Sequence, residues 1–298
     1  MTKENRLIAL YLYVCRCYDT ELSVHCQRFS NHHNPIFTDQ EVITIYLFAM
    51  LEDDKLTIKQ IHSHIKKYWL EWFPDLPGYQ QFSKRLNRLS CVFPILLIDV
   101  LAKADLDEVD LGTSLGDAMP IVLAQRSRSY QAKVAPQLCD QGYCATKKLI
   151  YYGVKLHTLS FRKEGSLPLP EYLQITPASQ HDLTAMRQIF PQLSQRQLFL
   201  DKAYCDEPLA KELMQQAQVA LYTPRKKKKN EQDIGADGRL LSTAVSRVRQ
   251  PIESLFSWIN QKTAIQDGSK IRSLQGLLVH VFARLTAAMI LLCLPIFN

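Results

Sequence analysis

No Cys-x-x-Cys pair occurs anywhere in this chain, although it carries eight cysteines, at positions 15, 17, 26, 91, 139, 144, 205 and 293. Structural zinc sites ordinarily use that spacing, so a zinc-stapled module of the usual kind is excluded. The nearest alternative cluster is Cys15-Arg16-Cys17 with His25-Cys26 and His32-His33. It is a poor one, because residues i and i+2 on a helix point to different faces. No secretory signal precedes the cysteines, and scattered thiols without one fit a reducing, cytoplasmic setting. Strand-like segments are almost missing before residue 105. A clean membrane span is missing too: Leu274 to Leu292 is apolar but interrupted by His280 and Arg284, which suits a buried closing helix better. Acidic residues are the scarcer charge, 29 against 36 Lys and Arg, and the resulting net charge of +7 points towards a polyanionic partner.

What is present is the composition of an ordinary soluble globular protein, 47% hydrophobic and 22% charged, which excludes disordered and fibrous classes. At 298 residues the chain is long enough for two units, or for one large domain with appendages. Residues 1–105 read as a series of helices. Arg6 to Tyr18 is apolar at helical intervals, Thr38-Asp39-Gln40-Glu41 is a capping box for a helix running to Leu51, and Thr57 to Trp69 carries Ile58, Ile61 and Ile65 on one side. Pro74 and Pro77 end that segment, and Tyr79 to Leu89 begins another helix with Lys84, Arg85 and Arg88. These basic helices suit either a helix-turn-helix-like DNA reader or a bundle with solvated lysines, and nothing in the sequence singles out a recognition helix.

From about residue 106 the pattern changes. Tyr151 to Leu159 and Glu171 to Thr176, separated by Lys163-Glu164-Gly165-Ser166, form a hairpin pattern rich in β-branched and aromatic residues. Gln197 to Leu200 reads as a short strand, Glu207 to Gln218 as a helix, Val219 to Thr223 as a strand and Thr243 to Thr263 as a helix. That order predicts an α/β unit, a mixed sheet with helices against it.

Three carboxylates stand at the ends of apolar segments: Asp117, Asp201 and Glu253. Asp117 and Asp201 belong to strands and Glu253 to a later helix, so only tertiary folding unites them. Three acidic groups gathered by folding repel one another unless divalent cations neutralise them, and hard carboxylate oxygens suit Mg²⁺. Two such ions about 3.5–4 Å apart activate a nucleophile and neutralise a leaving oxyanion in phosphodiester cleavage. The expectation is that Asp117 bridges both ions, with Asp201 and Glu253 each completing one shell. Arg249, one helical turn before Glu253, shares its face and is placed to hold a phosphate or to orient the carboxylate. Lys147, Lys148 and Lys155 flank the hairpin, Lys202 follows Asp201, and Arg126 and Arg128 follow the first strand. Arg225, Lys226, Lys227, Lys228 and Lys229 open a basic loop, 225–240, that would hang beside the pocket and track DNA without regard to sequence. His157 and His181 are candidates to assist, and Asp182 is a candidate helix cap.

The residues also carry a resemblance. Gly116-Asp117-Ala118-Met119-Pro120-Ile121, Gln141 to Lys148 with Tyr152 to His157, Thr176 to Asp182, Asp201-Lys202-Ala203-Tyr204 and Arg249 to Phe256 follow in an order that resembles the DDE transposases of bacterial insertion sequences. Members commonly have a hydroxyl residue where this chain has Ala118 and a glycine where it has Ala203. Their Tyr, Arg, Glu, Lys signature corresponds by spacing to Ser246, Arg249, Glu253 and Asn260, with Lys262 a nearby substitute for the last.

The resemblance implies an RNase H-like mixed five-stranded sheet flanked by helices, with an all-α N-terminal region. On that reading 1–105 binds DNA ends, and 106–298 is the catalytic domain, including the basic loop and the C-terminal helices. It implies metal-dependent cleavage at element ends and strand transfer into target DNA, with Asp117, Asp201 and Glu253 as both catalytic and metal-ligating residues and two Mg²⁺ as cofactor, replaceable by Mn²⁺. The partners implied are double-stranded DNA, as terminal inverted repeats and target, and a second copy of the chain on that DNA; the setting is the bacterial nucleoid, with no membrane. A nuclease without strand transfer, and a remnant acting as a DNA-binding repressor, are the alternatives.

Overall fold

The computed structural model describes residues 1–28, 35–145, 147–227 and 233–297. Two compact units emerge, Met1–Asp105 with Ile259–Asn298, and Leu106–Trp258.

In the first unit α1 (Lys3–Thr20) begins at Thr2, whose hydroxyl accepts the Asn5 N–H, and buries Leu7, Leu10, Val14 and Cys17 along one stripe. Thr38 and Glu41 close the expected capping box at α2 (Asp39–Asp53), and Thr57 with Gln60 closes a second at α3 (Ile58–Tyr68). From Val42 to Met50 every residue of α2 is buried, as befits a helix apolar on all sides. α4 (Tyr79–Arg88) and α5 (Val92–Ala102) follow, and Arg85 of α4 grips the carboxylate of Asp39 at the start of α2 with bonds of 2.6 and 2.5 Å.

Residues 259–298, grouped with the sheet in the sequence reading, pack among these helices instead. α9 (Leu274–Leu278), a π-helical turn at Val279–Ala283 and α10 (Arg284–Cys293) form one run that is long and apolar enough to cross a membrane, but 67% of its most apolar stretch is buried within the protein. Its two polar interruptions are satisfied by main chain. His280 donates to the Ile265 carbonyl at 2.8 Å, and the buried Arg284 guanidinium donates to the carbonyls of Thr263 and Leu56. Cys17 and Cys26 are buried, which pushes their thiols up to about 11 and about 12. His32 and His33 lie outside the described residues.

The second unit is built on β1 (Val109–Gln125), β2 (Asp140–Cys144), β3 (Leu149–Lys163), β4 (Leu169–Pro177), β5 (Arg196–Phe199) and β6 (Val219–Tyr222). β3 runs antiparallel to β1 over nearly its whole length, while its other edge is shared, β2 pairing with 149–153 and β4 with 154–161. β5 is parallel to β1 and β6 to β5, so the mixed sheet holds six strands in five positions. The extra strand relative to expectation is β2. Its sequence, Asp-Gln-Gly-Tyr-Cys, has no apolar alternation; besides its pairing with β3, Asp140 accepts the Ser179 N–H at 2.8 Å and Gln141 donates to Ser129 Oγ at 3.2 Å, and Gly142 is pressed so close to Ala178 that a Cβ would meet its carbonyl oxygen at 2.3 Å. α6 (Asp182–Met186), α7 (Glu207–Ala217) and α8 (Gly235–Thr263), the last as far as Trp258, complete the unit. α8 opens at Gly235, more than two turns before the expected Thr243. Met186, Ile189, Phe190, Leu198, Leu200, Tyr204 and Leu213 form the core against β5.

Candidate active site

The parallel pairing of β1 with β5 fixes the first two carboxylates. Thr113, Ser114 and Leu115 stand opposite Gln197, Leu198 and Phe199. The same register carried two residues further sets Asp117 beside Asp201, on neighbouring chains about 4.8 Å apart where the sheet spacing persists. The sheet does persist almost that far, since the Leu200 N–H donates to the Tyr222 carbonyl at 3.0 Å. Gly116 makes the approach possible: a Cβ there would lie 2.4 Å from Leu200 Cδ2. Asp201 then leads into a single 3₁₀ turn, its carbonyl accepting the Tyr204 N–H at 3.0 Å, and Tyr204 anchors that turn in the core.

Glu253 and Arg249 come from α8, four residues apart and on one face. Arg249 donates to Asp117 Oδ2 at 2.6 Å and to Glu253 Oε1, so its guanidinium lies between the two carboxylates. Asp117 Oδ1 accepts the Ala118 N–H at 2.8 Å. Burial dominates the Asp117 carboxyl and, with the charge of Asp201 adding to it, lifts its pKa to about 6 against the opposing pull of Arg249 and the Ala118 N–H. Beneath the site, the hydroxyls of Tyr204 and of Thr158, the cross-strand neighbour of Asp117, are buried with no hydrogen-bond partner. Burial, and then the charges of Asp182, Asp117 and Asp201, hold the Tyr204 hydroxyl far above the ordinary tyrosine range.

Asp117 and Asp201 both open onto a cleft of about 820 Å³, whose walls include Tyr143, Tyr151, His181, Lys202, Lys226 and Lys227. Glu253, 57% exposed at its side chain, is not among the lining residues. Among the described residues no group of three His, Cys, Asp or Glu side chains lies close enough to hold one metal ion. The Asp117–Asp201 pair nevertheless fits a hard divalent cation: both carboxylates line one open cleft and offer it the hard oxygen donors that such an ion prefers.

The basic residues divide. Lys202, Lys226 and Lys227 are exposed on the cleft wall. Arg225 also lines it, but its main-chain N–H donates to Ser242 Oγ and its guanidinium to the Ile234 carbonyl at 2.6 Å, bracing the start of the basic loop against α8. Lys228 and Lys229 fall outside the described residues. Lys155, expected as a DNA contact, is tied to Asp182 Oδ1 at 2.8 Å and to the Gln180 carbonyl at 2.9 Å. Lys147 and Lys148 are exposed in the β2–β3 turn, beyond the cleft wall at Tyr143–Ala145.

Two expectations are corrected. His157 is fully buried, hydrogen bonded through Nε2 to Thr176 Oγ1 at 2.8 Å, and burial lowers its pKa to about 4, so it is a core group and not an assisting one. The cap of α6 is His181, whose Nδ1 accepts the Leu183 N–H, and Asp182 is the first helical residue. Sequence reasoning passed over Tyr151, whose hydroxyl is buried at the cleft with no hydrogen-bond partner among the described residues, and the Lys155–Asp182 pair. Alternation along β3 carries the only signal for either, since 151 and 155 share a face.

A family model described as a transposase DDE domain matches residues 109–273, from the first residue of β1 to beyond α8 and more than half of the chain. No curated protein and no solved structure matches.

Proposed function

Because the chain belongs to the DDE transposase family, we propose that it cleaves phosphodiester bonds at the ends of a bacterial insertion sequence and joins the freed 3′-hydroxyls to target DNA. The observation that carries this reading is that Asp117 on β1 and Asp201, two residues beyond the end of the parallel strand β5, line one cleft together with Lys202, Lys226 and Lys227. On this reading the sheet is RNase H-like, the setting is cytoplasmic and two copies act together on paired DNA ends.

Asp117 and Asp201, with Glu253 as third candidate, would hold Mg²⁺ or Mn²⁺, which supplies Lewis-acid polarisation of the phosphoryl group and a more acidic bound water. The protein's own groups do the rest. Lys202, Lys226 and Lys227 hold the DNA backbone over the aspartates as point charges. Arg249 fixes the rotamer of Asp117 and retains Glu253 on the same side of α8. Above pH about 6 Asp117 is ionised and able to accept a cation or a proton. The core under Leu200 and Tyr204 keeps the aspartate pair from spreading apart.

The test is incubation of the full chain with duplex DNA carrying the element's inverted repeats and Mg²⁺. Cleavage and joining by the natural sequence are expected, with Asp117→Ala losing both while still binding the ends. Undiminished cleavage by Asp117→Ala would refute the assignment. Cleavage without joining of precut ends would leave a nuclease of the same site chemistry.

A further inference from the structure

The helical unit raises the question of which surface recognises sequence, since the lysines at the cleft can hold only backbone phosphates. Resting on the reading that the chain acts on DNA, we propose that α4 is its recognition helix, entering the major groove with Gln80, Gln81, Lys84 and Arg88.

The helix is divided between two faces. Phe82 and Leu86 are fully buried, the His62 ring packs on Tyr79 and Phe82 at 5.9 and 5.8 Å, and Arg85 is engaged with Asp39 and with the Cys26 carbonyl. At about 100° per residue, Gln80, Lys84, Arg88 and Gln81 fall within an arc of about 100° on the opposite side. All four are exposed. Among the described residues Arg85 is the one cation of α4 engaged in packing, and the two cations and two carboxamides of the outer face have no structural partner there.

Charge and chemistry select the occupant. Neither α3 nor α4 contains an Asp or Glu, whereas α1, α2 and α5 all do. Carboxamides suit the N6 and N7 edge of adenine, and Arg or Lys suits O6 and N7 of guanine. Ten residues make a rod about 15 Å long, and the major groove, about 12 Å wide, admits a helix. α3 differs in kind. Its exposed face offers Lys59, Lys66 and Lys67, while its one carboxamide, Gln60, is bound into the Thr57 capping box, so it is equipped for phosphates and not for bases.

The experiment is selection of bound duplexes from a randomised library by the full chain, repeated with variants. The natural sequence should enrich a motif. Gln80→Ala/Gln81→Ala/Arg88→Ala should lose it, and binding to the selected duplex should fall about tenfold or more for each base contact removed, while salt-sensitive binding to random duplex persists. Arg88→Lys alone should relax one motif position. Lys59→Ala/Lys66→Ala/Lys67→Ala should keep the motif but lower the slope of log affinity against log salt by up to about 2.7. An unchanged melting temperature shows that loss of the motif is not loss of fold, as expected where alanine replaces exposed helical residues. Enrichment of the same motif by the α4 triple variant, or of none by the natural sequence, overturns the proposal. Incubating the natural chain with the selected duplex and Mg²⁺ separates the two readings: a motif read through α4 by a natural chain that never cuts it would sink the catalytic reading and leave this one standing.

Discussion

Adding one methyl group at Gly116 tests the geometry of the site more directly than removing a carboxylate. In Gly116→Ala the new Cβ would lie 2.4 Å from Leu200 Cδ2 and 3.3 Å from Leu159 Cδ1. Carbon atoms in contact sit about 3.5–4.0 Å apart, so Leu200 must withdraw by more than about 1 Å. It has little room to do so, being fully buried in the cluster with Leu198, Phe190 and Tyr204. Overpacking of this sort costs about 1–3 kcal/mol. The strain also reaches the chemistry, because Leu200 immediately precedes Asp201, and misplacing a reacting group by about 1 Å lowers a rate about 10²-fold. Urea denaturation measures the first effect and metal-dependent cleavage the second. Leu200→Val, which removes a methylene where the new methyl needs space, should rescue part of both. The double variant should be more stable than the sum of the singles allows, by about 0.5 kcal/mol or more. Natural stability and rate in Gly116→Ala, or strict additivity with Leu200→Val, would refute the close approach that aligns Asp201.

Asp117 gives the protein a pH signature. Its folded pKa, about 6, lies above the ordinary value of about 3.9, so the stability linked to its proton is complete below pH 4 and is lost as pH rises through 6. The metal-free protein should therefore lose on the order of 3 kcal/mol over that interval relative to Asp117→Asn, measured by denaturation at pH 4 and pH 7. Parallel pH profiles for the two proteins would contradict it. Lys226→Ala/Lys227→Ala should lower the salt slope of non-specific DNA binding by up to about 1.8; an unchanged slope means that these lysines do not touch phosphate. Arg85→Ala should destabilise the helical unit by about 3 kcal/mol, because Asp39, only 4% exposed, keeps Arg28 but loses its two-pronged partner. A loss under 1 kcal/mol by chemical denaturation would show that this pair is not structural.

The sequence was most legible where a local rule operates. The Thr38–Glu41 capping box, the β3–β4 hairpin and the β5–α7–β6 succession all follow from spacing and turn chemistry, and each is present. β2 was illegible because Asp140–Cys144 carries no β-branched or alternating apolar residues, and the bonds of Asp140 and Gln141 to Ser179 and Ser129 are tertiary. α5 went unread because Val92–Ala102 is apolar at every position but Asp99, and a single polar residue sets no period. The fate of α10 was half legible: composition showed that it is buried, but composition does not say among which elements. At the site, apolar segments pointed to Asp117, which proves to lie midway along β1, and to Asp201 just beyond β5, and helical periodicity pointed to Arg249 beside Glu253. That the guanidinium bridges Asp117 to Glu253, and that Lys155 is neutralised by Asp182, are tertiary facts with no local signature.

The register shared by β1 and β5 has a practical side for anyone reshaping this protein. A slip of one residue in either strand would turn one aspartate to the far surface of the sheet, since side chains alternate at every step. Length in the connecting chain is constrained far less. The exposed tip at Glu164–Ser166, where Gly165 takes a φ of +66° and a Cβ would touch nothing, is the natural port for a spectroscopic label or a fused module that leaves both aspartates in place.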